Sequence, residues 1–175
     1  MRFLGADLGV QTIEESAIRA AVGPAEALAA AERAFRALAE GAVTQPAPLG
    51  FEIAAVHGEV HVKGAHIRGA PVFALKVATG FYQNAARGLP SGAGLFLVFD
   101  AQTGVPTALL QDNGYLTDLR TAGAGALAAR HLAAEGLDTV AVLGSGIQAR
   151  YQLRCLALVR RWSEGRTASS MSRSA

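Results

Sequence analysis

The segment Val140-Ala-Val-Leu143 runs into Gly144-Ser-Gly146-Ile-Gln-Ala149, and no other stretch limits the fold of this chain as tightly. A short apolar, β-branched run bounded by a turn fits a strand buried in a parallel sheet, and the residues after it favour helix. Two glycines one residue apart let the backbone turn sharply and let a phosphate come close. The free N–H groups at the start of the next helix can then bind that phosphate. The pattern fits G-x-G-x-x-A, the first strand–turn–helix of a dinucleotide-binding domain. An acidic residue that reads a ribose belongs about 20 residues further on, at the end of the next strand. Glu164 stands at that distance, but Arg160-Arg-Trp-Ser-Glu164 is no apolar run, and its position reads as coincidence.

The 175 residues suffice for one packed domain and part of another. No apolar run approaches the roughly 20 residues of a membrane helix, and the start, Met1-Arg-Phe-Leu-Gly-Ala-Asp7, lacks the apolar core of a signal peptide. Cys155 is the single cysteine, which fits a reducing cytoplasm. The net charge of +2 conceals an asymmetry, because six of the 14 arginines fall after Ala149 against Glu164 alone. Basicity is therefore a property of the end of the chain, and nucleic acid is not an expected partner of the folded part. Only Lys63 and Lys76 are lysines. In a chain that uses arginine by default, a lysine draws notice, since it can release its proton or form a Schiff base and arginine cannot.

Along the chain, Thr12-Ile-Glu-Glu15 reads as a capping box opening a short helix that Gly23 closes. Pro24 opens a second helix, which Gly41 stops. Strands are predicted over 51–56, 59–68 and 72–79, then over 95–99 and 106–110 around the turn Asp100-Ala-Gln-Thr-Gly104. Val60 and Val62 face one way and His61 and Lys63 the other. Residues 81–92 read as a loop. Thr117 or Asp118 caps a helix running to about Glu135, rich enough in Ala and Gly to lie close to another backbone. Residues 147–159 form the helix after the glycine turn, and the Ser-rich stretch beyond Arg160 has no period. The expected class is α/β. Residues 1–116 form an α+β domain with a mostly antiparallel sheet, and 117–136 a connecting helix. Residues 137–160 are the first βα unit of an incomplete Rossmann domain, and 161–175 an irregular tail.

Several residues admit two readings. Lys76, within Val72-Phe-Ala-Leu-Lys-Val-Ala78, either points to solvent from a half-exposed sheet or stands at the floor of a site. Arg120, in the first turn of its helix, opposes the helix dipole. It either pairs with a carboxylate such as Asp118 or grips a substrate carboxylate. Apart from His57 and His61 across Gly58, which read as polar surface rather than a zinc site, His57, His61, His66 and His131 lack metal-ligand spacing, and no metal is expected. Cys155 reads as core packing.

Four segments in order go beyond generic motifs: Leu75-Lys-Val-Ala-Thr-Gly-Phe-Tyr-Gln-Asn84, Gly88-Leu-Pro-Ser91, Leu116-Thr-Asp-Leu-Arg-Thr-Ala122 and Gly144-Ser-Gly-Ile-Gln-Ala149. Together with Phe99-Asp-Ala-Gln-Thr-Gly-Val-Pro106 they resemble the ornithine cyclodeaminase/mu-crystallin family over about residues 25 to 160. The resemblance implies a homodimer associated through the N-terminal sheet and a Rossmann domain holding NAD or NADP. The implied activity is hydride transfer at the carbon–nitrogen bond of a small amino or imino acid. It also implies that Lys76 is catalytic and contacts substrate, and that Arg120 holds the substrate carboxylate beside the cofactor. Ser91, Arg120, Thr121, Gly144, Gly146, Ile147 and Gln148 would bind the cofactor.

Ornithine-type members carry an arginine just after a proline loop. Thr44-Gln-Pro-Ala-Pro-Leu-Gly50 has none, while Gly58-Glu-Val-His-Val-Lys-Gly64 looks more like the imino-acid reductase and ectoine-degradation branch. Family members exceed 300 residues, so the loss of pattern near Arg160 reads as an early stop or a shifted frame, with the catalytic aspartate expected in the absent half. The expectation is an NAD(P)-dependent cyclodeaminase or imino-acid reductase. The alternatives are a non-catalytic NAD(P)H- or ligand-binding protein and an inactive fragment.

Overall fold

The computed structural model describes residues 9–168. They divide into two compact units, the described residues up to Ala21 with Arg36–Tyr115, and Val22–Phe35 with the described residues from Leu116 on.

The first unit is built on a seven-stranded sheet. Its strands are β1 (Gln11–Glu14), β2 (Val43–Thr44), β3 (Leu49–Ile53), β4 (Gly58–Ile67), β5 (Val72–Phe81), β6 (Gly92–Asp100) and β7 (Pro106–Gln111). They run in the order β1-β7-β6-β5-β4-β2, with β3 also on β4. All neighbours are antiparallel except β1 and β7, which pair in parallel from Gln11 opposite Ala108 to Glu14 opposite Gln111. Thr12, Ile13 and Glu14, expected to open a helix, are therefore strand. Helix α1 (Glu15–Ala21) starts only where β1 ends. A capping box and a short edge strand look alike locally, and here pairing with a strand about a hundred residues away decides.

The register gives the sheet two unlike faces. Phe51, Val60, Val62, Val77, Leu75, Leu97, Phe73 and Phe99 share one face, where the Phe73 and Phe99 rings stack at 5.0 Å. The other carries Glu59, His61, Lys63, Lys76 and Phe96 among alanines and glycines. The expected alternation of Val60 and Val62 against His61 and Lys63 is observed.

Helix α2 (Pro24–Ala39), which belongs to the second unit up to Phe35, begins at its proline, and the chain leaves it through Gly41 at φ 65°. Helix α3 (Tyr115–Leu132) starts two to three residues before the expected caps, so Thr117 and Asp118 lie in its first turn and Arg120 just beyond. The start is set by Asp112-Asn-Gly114. Asn113 and Gly114 take left-handed φ of 51° and 89°, and the Tyr115 N–H donates to the Asp112 carbonyl at 2.9 Å. Asp112 is fully buried.

The glycines of α3 admit close neighbours, as the composition suggested. A Cβ on Gly123 would stand 3.0 Å from the Ala27 carbonyl oxygen of α2, and one on Gly125 would strike the Gln152 side chain. Leu119, Ala122, Ala126 and Cys155 are buried in this unit, and burial pushes the Cys155 thiol upward.

Strand β8 (Thr139–Leu143) leads through the glycine turn into α4 (Ile147–Leu156). A further strand, β9 (Glu164–Ala168), then pairs with β8 in parallel, Thr139 opposite Glu164 through Leu143 opposite Ala168. The expected irregular tail from 161 is thus part strand, and the second parallel strand of a βαβ unit is present. Its sequence, Glu-Gly-Arg-Thr-Ala, shows no apolar period, and the pairing with β8 imposes what local propensity does not. Residues 169–175 of the expected tail lie outside the described residues.

Arg160, where the pattern was expected to end, caps α3. Its guanidinium donates to the carbonyls of Ala129 (3.1 and 3.3 Å), Arg130 (3.2 Å) and Ala133 (3.1 Å). A cation at a helix C-terminus satisfies orphan carbonyls and complements the dipole.

Candidate functional site

The residues singled out by the sequence fall into two sets, one in each unit. Lys76 and Ser91 belong to the sheet. Arg120, Thr121 and the glycine-turn residues belong to the helical unit.

In the glycine turn, Gly144 has φ 111°, which an L side chain rarely adopts, so a glycine is needed there for the turn itself. Gly146 differs. Its φ of −74° and ψ of −169° suit any residue, and a Cβ there would meet no atom within 4 Å. Neither backbone nor packing within the chain asks for glycine at 146. It leaves bare backbone and open space at the start of α4, where no side chain caps the helix. Uncapped N–H groups with an open approach suit a phosphate.

Ile147, the first residue of α4, is 56% exposed. Gln148 is held by α3, its amide nitrogen donating to the Asp118 carboxylate at 2.7 Å, while its amide oxygen is buried without a partner. Thr121 donates its hydroxyl to the Thr117 carbonyl at 2.7 Å, and Gln152 of α4 donates to the Thr121 carbonyl at 3.4 Å. Asp118, one of the carboxylates considered for Arg120, is therefore engaged by Gln148. Arg120 itself is exposed. Glu164 lies at the start of β9, opposite Thr139, whereas a ribose-reading acid belongs at the far end of that strand. Its coincidental reading stands.

In the sheet, Lys76 is half-buried at the middle of β5, with Lys63 directly opposite on β4 and Phe96 on β6. Further along the same face Tyr82 donates to Glu59 at 2.5 Å, and Glu59 lies 3.5 Å from His61 Nε2. The Tyr82 hydroxyl, followed by His61, holds the Glu59 carboxyl below its usual range, and the same bond raises the tyrosine. Ser91 closes the loop after β5. Its carbonyl accepts the Phe81 N–H at 2.7 Å, and Asn84 donates to the neighbouring Pro90 carbonyl at 3.0 Å. Asn84 was legible only as part of a loop, and its brace on Gly88-Leu-Pro-Ser91 emerges from the fold.

A feature with no counterpart in the sequence reading is a cleft of about 720 Å³ in the sheet unit, lined among others by Glu14, Glu15, Arg19, Gln111 and Asn113. Asn113 and Arg19 both donate to Glu15, at 2.8 and 2.7 Å, and lower its pKa. Glu15, Arg19 and Asn113 are thus paired with one another, and neither Lys76 nor Ser91 lines the cleft. Among the described residues, no three or more metal-ligating side chains gather, and no helix is long and apolar enough to cross a membrane.

The sequence profile of the ornithine cyclodeaminase/mu-crystallin family matches residues 10–167, further in both directions than the resemblance over residues 25 to 160. A protein of Rhizobium meliloti (strain 1021) named as a dehydrogenase is 51% identical over 141 residues, 81% of this chain and 43% of its own length. The structure of the Thermococcus litoralis Δ1-pyrroline-2-carboxylate reductase in complex with NADH and L-proline superposes with a TM-score of 0.87 at 26% identity. It covers 94% of this chain and 50% of its own. An archaeal alanine dehydrogenase dimer with bound NAD gives 0.86 at 28% identity, covering 91% and 48%. The chain thus spans about half the length of the proteins it matches. With profile, sheet and glycine turn in agreement, the chain belongs to the ornithine cyclodeaminase/mu-crystallin family.

Proposed function

We propose that the chain carries the substrate-binding sheet and the pyrophosphate turn of an NAD- or NADP-dependent oxidoreductase acting on the carbon–nitrogen bond of a small amino or imino acid. The observation that carries this reading is Gly146. It is bare of side chain, unstrained, and open at an uncapped helix start, the condition a dinucleotide pyrophosphate requires. The relatives with NADH, NAD and L-proline bound support it. The lyase chemistry of a cyclodeaminase is the narrower variant of the same hydride transfer.

When bound, the nicotinamide supplies or accepts the hydride, so that an imino acid, a reduced cofactor and a proton yield an amino acid and an oxidised cofactor. The chain's own residues do the rest. The main-chain N–H groups following Gly146 hold the pyrophosphate, and Ser91, Arg120 and Thr121 line the cofactor. Gln148 fixes α4 to α3 through Asp118. Arg120 binds the substrate carboxylate, and the Lys76 ammonium donates to the reacting nitrogen or carboxylate from the floor of the sheet. The exposed apolar residues Leu49, Phe51 and Ile53, all on one face of β3, suit association with a second copy through the sheet.

The test is turnover of a panel of imino acids with NADH and NADPH by the full chain and by Lys76→Ala. The substitution is expected to lower kcat/KM at least 100-fold, and equal turnover would remove Lys76 from the mechanism. Cofactor binding without turnover would assign the chain to ligand binding instead.

A further inference from the structure

Of the four histidines, His61 shares the sheet face that carries Lys76. His66 lies on the opposite face of β4, its Nε2 3.2 Å from the Ala70 carbonyl. His57 stands in the turn before β4, and His131 belongs to the other unit. His61 is directly opposite Ala78 of β5, and Ala78 is opposite Gly94 of β6. Lys76 is therefore a diagonal neighbour of His61, with Cβ atoms roughly 7–8 Å apart. The small residues between imidazole and ammonium leave a floor on which a small amino or imino acid fits.

Two strand glycines make room for His61 and its support. Neither Gly50 nor Gly80 has a positive φ, so the backbone asks for glycine at neither position. A Cβ on Gly50 of β3 would stand 3.2 Å from His61 Nδ1, and one on Gly80 of β5 would stand 2.8 Å from Glu59 Oε1. A glycine inside a strand is destabilising, and each of these clears space for a polar side chain. Tyr82 donates to Glu59 Oε1 at 2.5 Å, while Glu59 Oε2 lies 3.5 Å from His61 Nε2. A carboxylate at one ring nitrogen fixes the orientation of an imidazole. The charged groups sharing this face of β3, β4 and β5 with His61 are Glu52, Glu59, Lys63 and Lys76.

We infer that His61 is the proton-transfer residue of the substrate site and that Glu59 and Tyr82 position it. This rests on the reading of the Lys76 face as the substrate floor. Reduction of an imino acid forms a C–H bond with the incoming hydride and an N–H bond with a proton, as the C=N π bond is lost. The imidazolium supplies that proton and is left as neutral imidazole, which solvent recharges because the side chain is 45% exposed. In the direction of oxidation the imidazole takes a proton from the substrate ammonium. A lysine ammonium, with an ordinary pKa of about 10, is a poor proton donor near neutral pH, and an imidazole is matched to that range. Lys76 then acts as a hydrogen-bond donor to the substrate carboxylate.

Proton NMR of the full chain, titrated with L-alanine, L-proline and L-aspartate in turn, tests the placement without turnover. The Cε1–H resonance of His61, assigned from His61→Gln, is expected to shift with each amino acid that calorimetry shows to bind, and those of His57 and His66 to stay. A bound amino acid that leaves His61 unmoved, or no binding of any of the three, would overturn the inference. In turnover of imino acids with NADH, His61→Gln should lower kcat about 100-fold with little change in KM. Free imidazole should restore activity to His61→Ala, and Glu59→Gln should lower kcat in the same direction. An unchanged kcat in His61→Gln, or no rescue, would also overturn it. Lys76→Met separates the two readings. If it leaves binding unchanged while His61 still shifts, the role of Lys76 fails and that of His61 survives; if it weakens binding and His61 never shifts, His61 alone fails. Circular dichroism confirms the sheet in each variant, and His61→Asn replaces a His61→Gln protein that does not fold.

Discussion

Removing the Arg160 guanidinium tests whether the chain beyond Val159 is part of the fold. Arg160 makes four hydrogen bonds to three carbonyls at the end of α3, three of them from the single nitrogen Nη2. A hydrogen bond from a charged group contributes about 1.5–3 kcal/mol. Sharing one nitrogen, and the water available to the Arg130 carbonyl, keep the four far from additive. The helix-dipole contribution of about 0.3–1 kcal/mol lies within the same total. Together they give a loss of about 2 kcal/mol for Arg160→Met, which keeps the aliphatic stem and its packing. For a chain of this length that lowers Tm by about 4–8 °C. Trp162, the only tryptophan, sits two residues away in the same unit, so its fluorescence during urea unfolding reports this unit. Arg161→Met, at an exposed neighbour, should change stability by less than about 0.5 kcal/mol. An Arg160→Met variant within about 0.5 kcal/mol of the parent would refute the cap.

Gly123→Val should cost about 2 kcal/mol in the same assay, because its Cβ meets rigid backbone of α2 at 3.0–3.2 Å and overpacking outweighs the helix propensity gained; an unchanged midpoint would show that α2 yields. Tyr82→Phe should return the Glu59 carboxyl toward its ordinary titration range, read by carbon NMR of the side chain. The sign follows from the depression. Glu59 favours the folded state above the ordinary carboxylate pKa, and that contribution disappears as pH falls through the lower folded value. Tyr82→Phe should therefore flatten the acid limb of the stability profile, and an unaltered Glu59 titration would refute the bond.

Residues whose neighbours are close in sequence revealed themselves. Pro24 and Gly41 bracket α2, and Gly144 and Gly146 mark the turn between β8 and α4, because proline, glycine and apolar period act locally. The face of β4 that carries His61 and Lys63 followed from its alternation with Val60 and Val62. Three features depended on distant partners and stayed hidden. Thr12-Ile-Glu14 became strand only through β7, and Glu164–Ala168 only through β8. Arg160 found its carbonyls about thirty residues upstream. The start of α3 could have been read from Asp112-Asn-Gly114, whose turn chemistry is a stronger signal than the Thr and Asp inside the helix. For the site, the residue types pointed to Lys76 and the glycine turn, but the opposition of Lys63 to Lys76 is a matter of register, which a list of residues does not contain.

The central claim is that the turn at Gly144-Ser-Gly146 is shaped for a dinucleotide, and Gly146→Val tests it most directly. The backbone at 146 accepts a side chain without strain and the space around it is open, so the variant should fold with a stability within about 1 kcal/mol of the parent. Titration of both proteins with NADH and NADPH, followed by nicotinamide fluorescence, should show binding to the parent and at least a tenfold loss in the variant. Equal affinity in the two proteins, or no binding to a folded parent, would contradict the account.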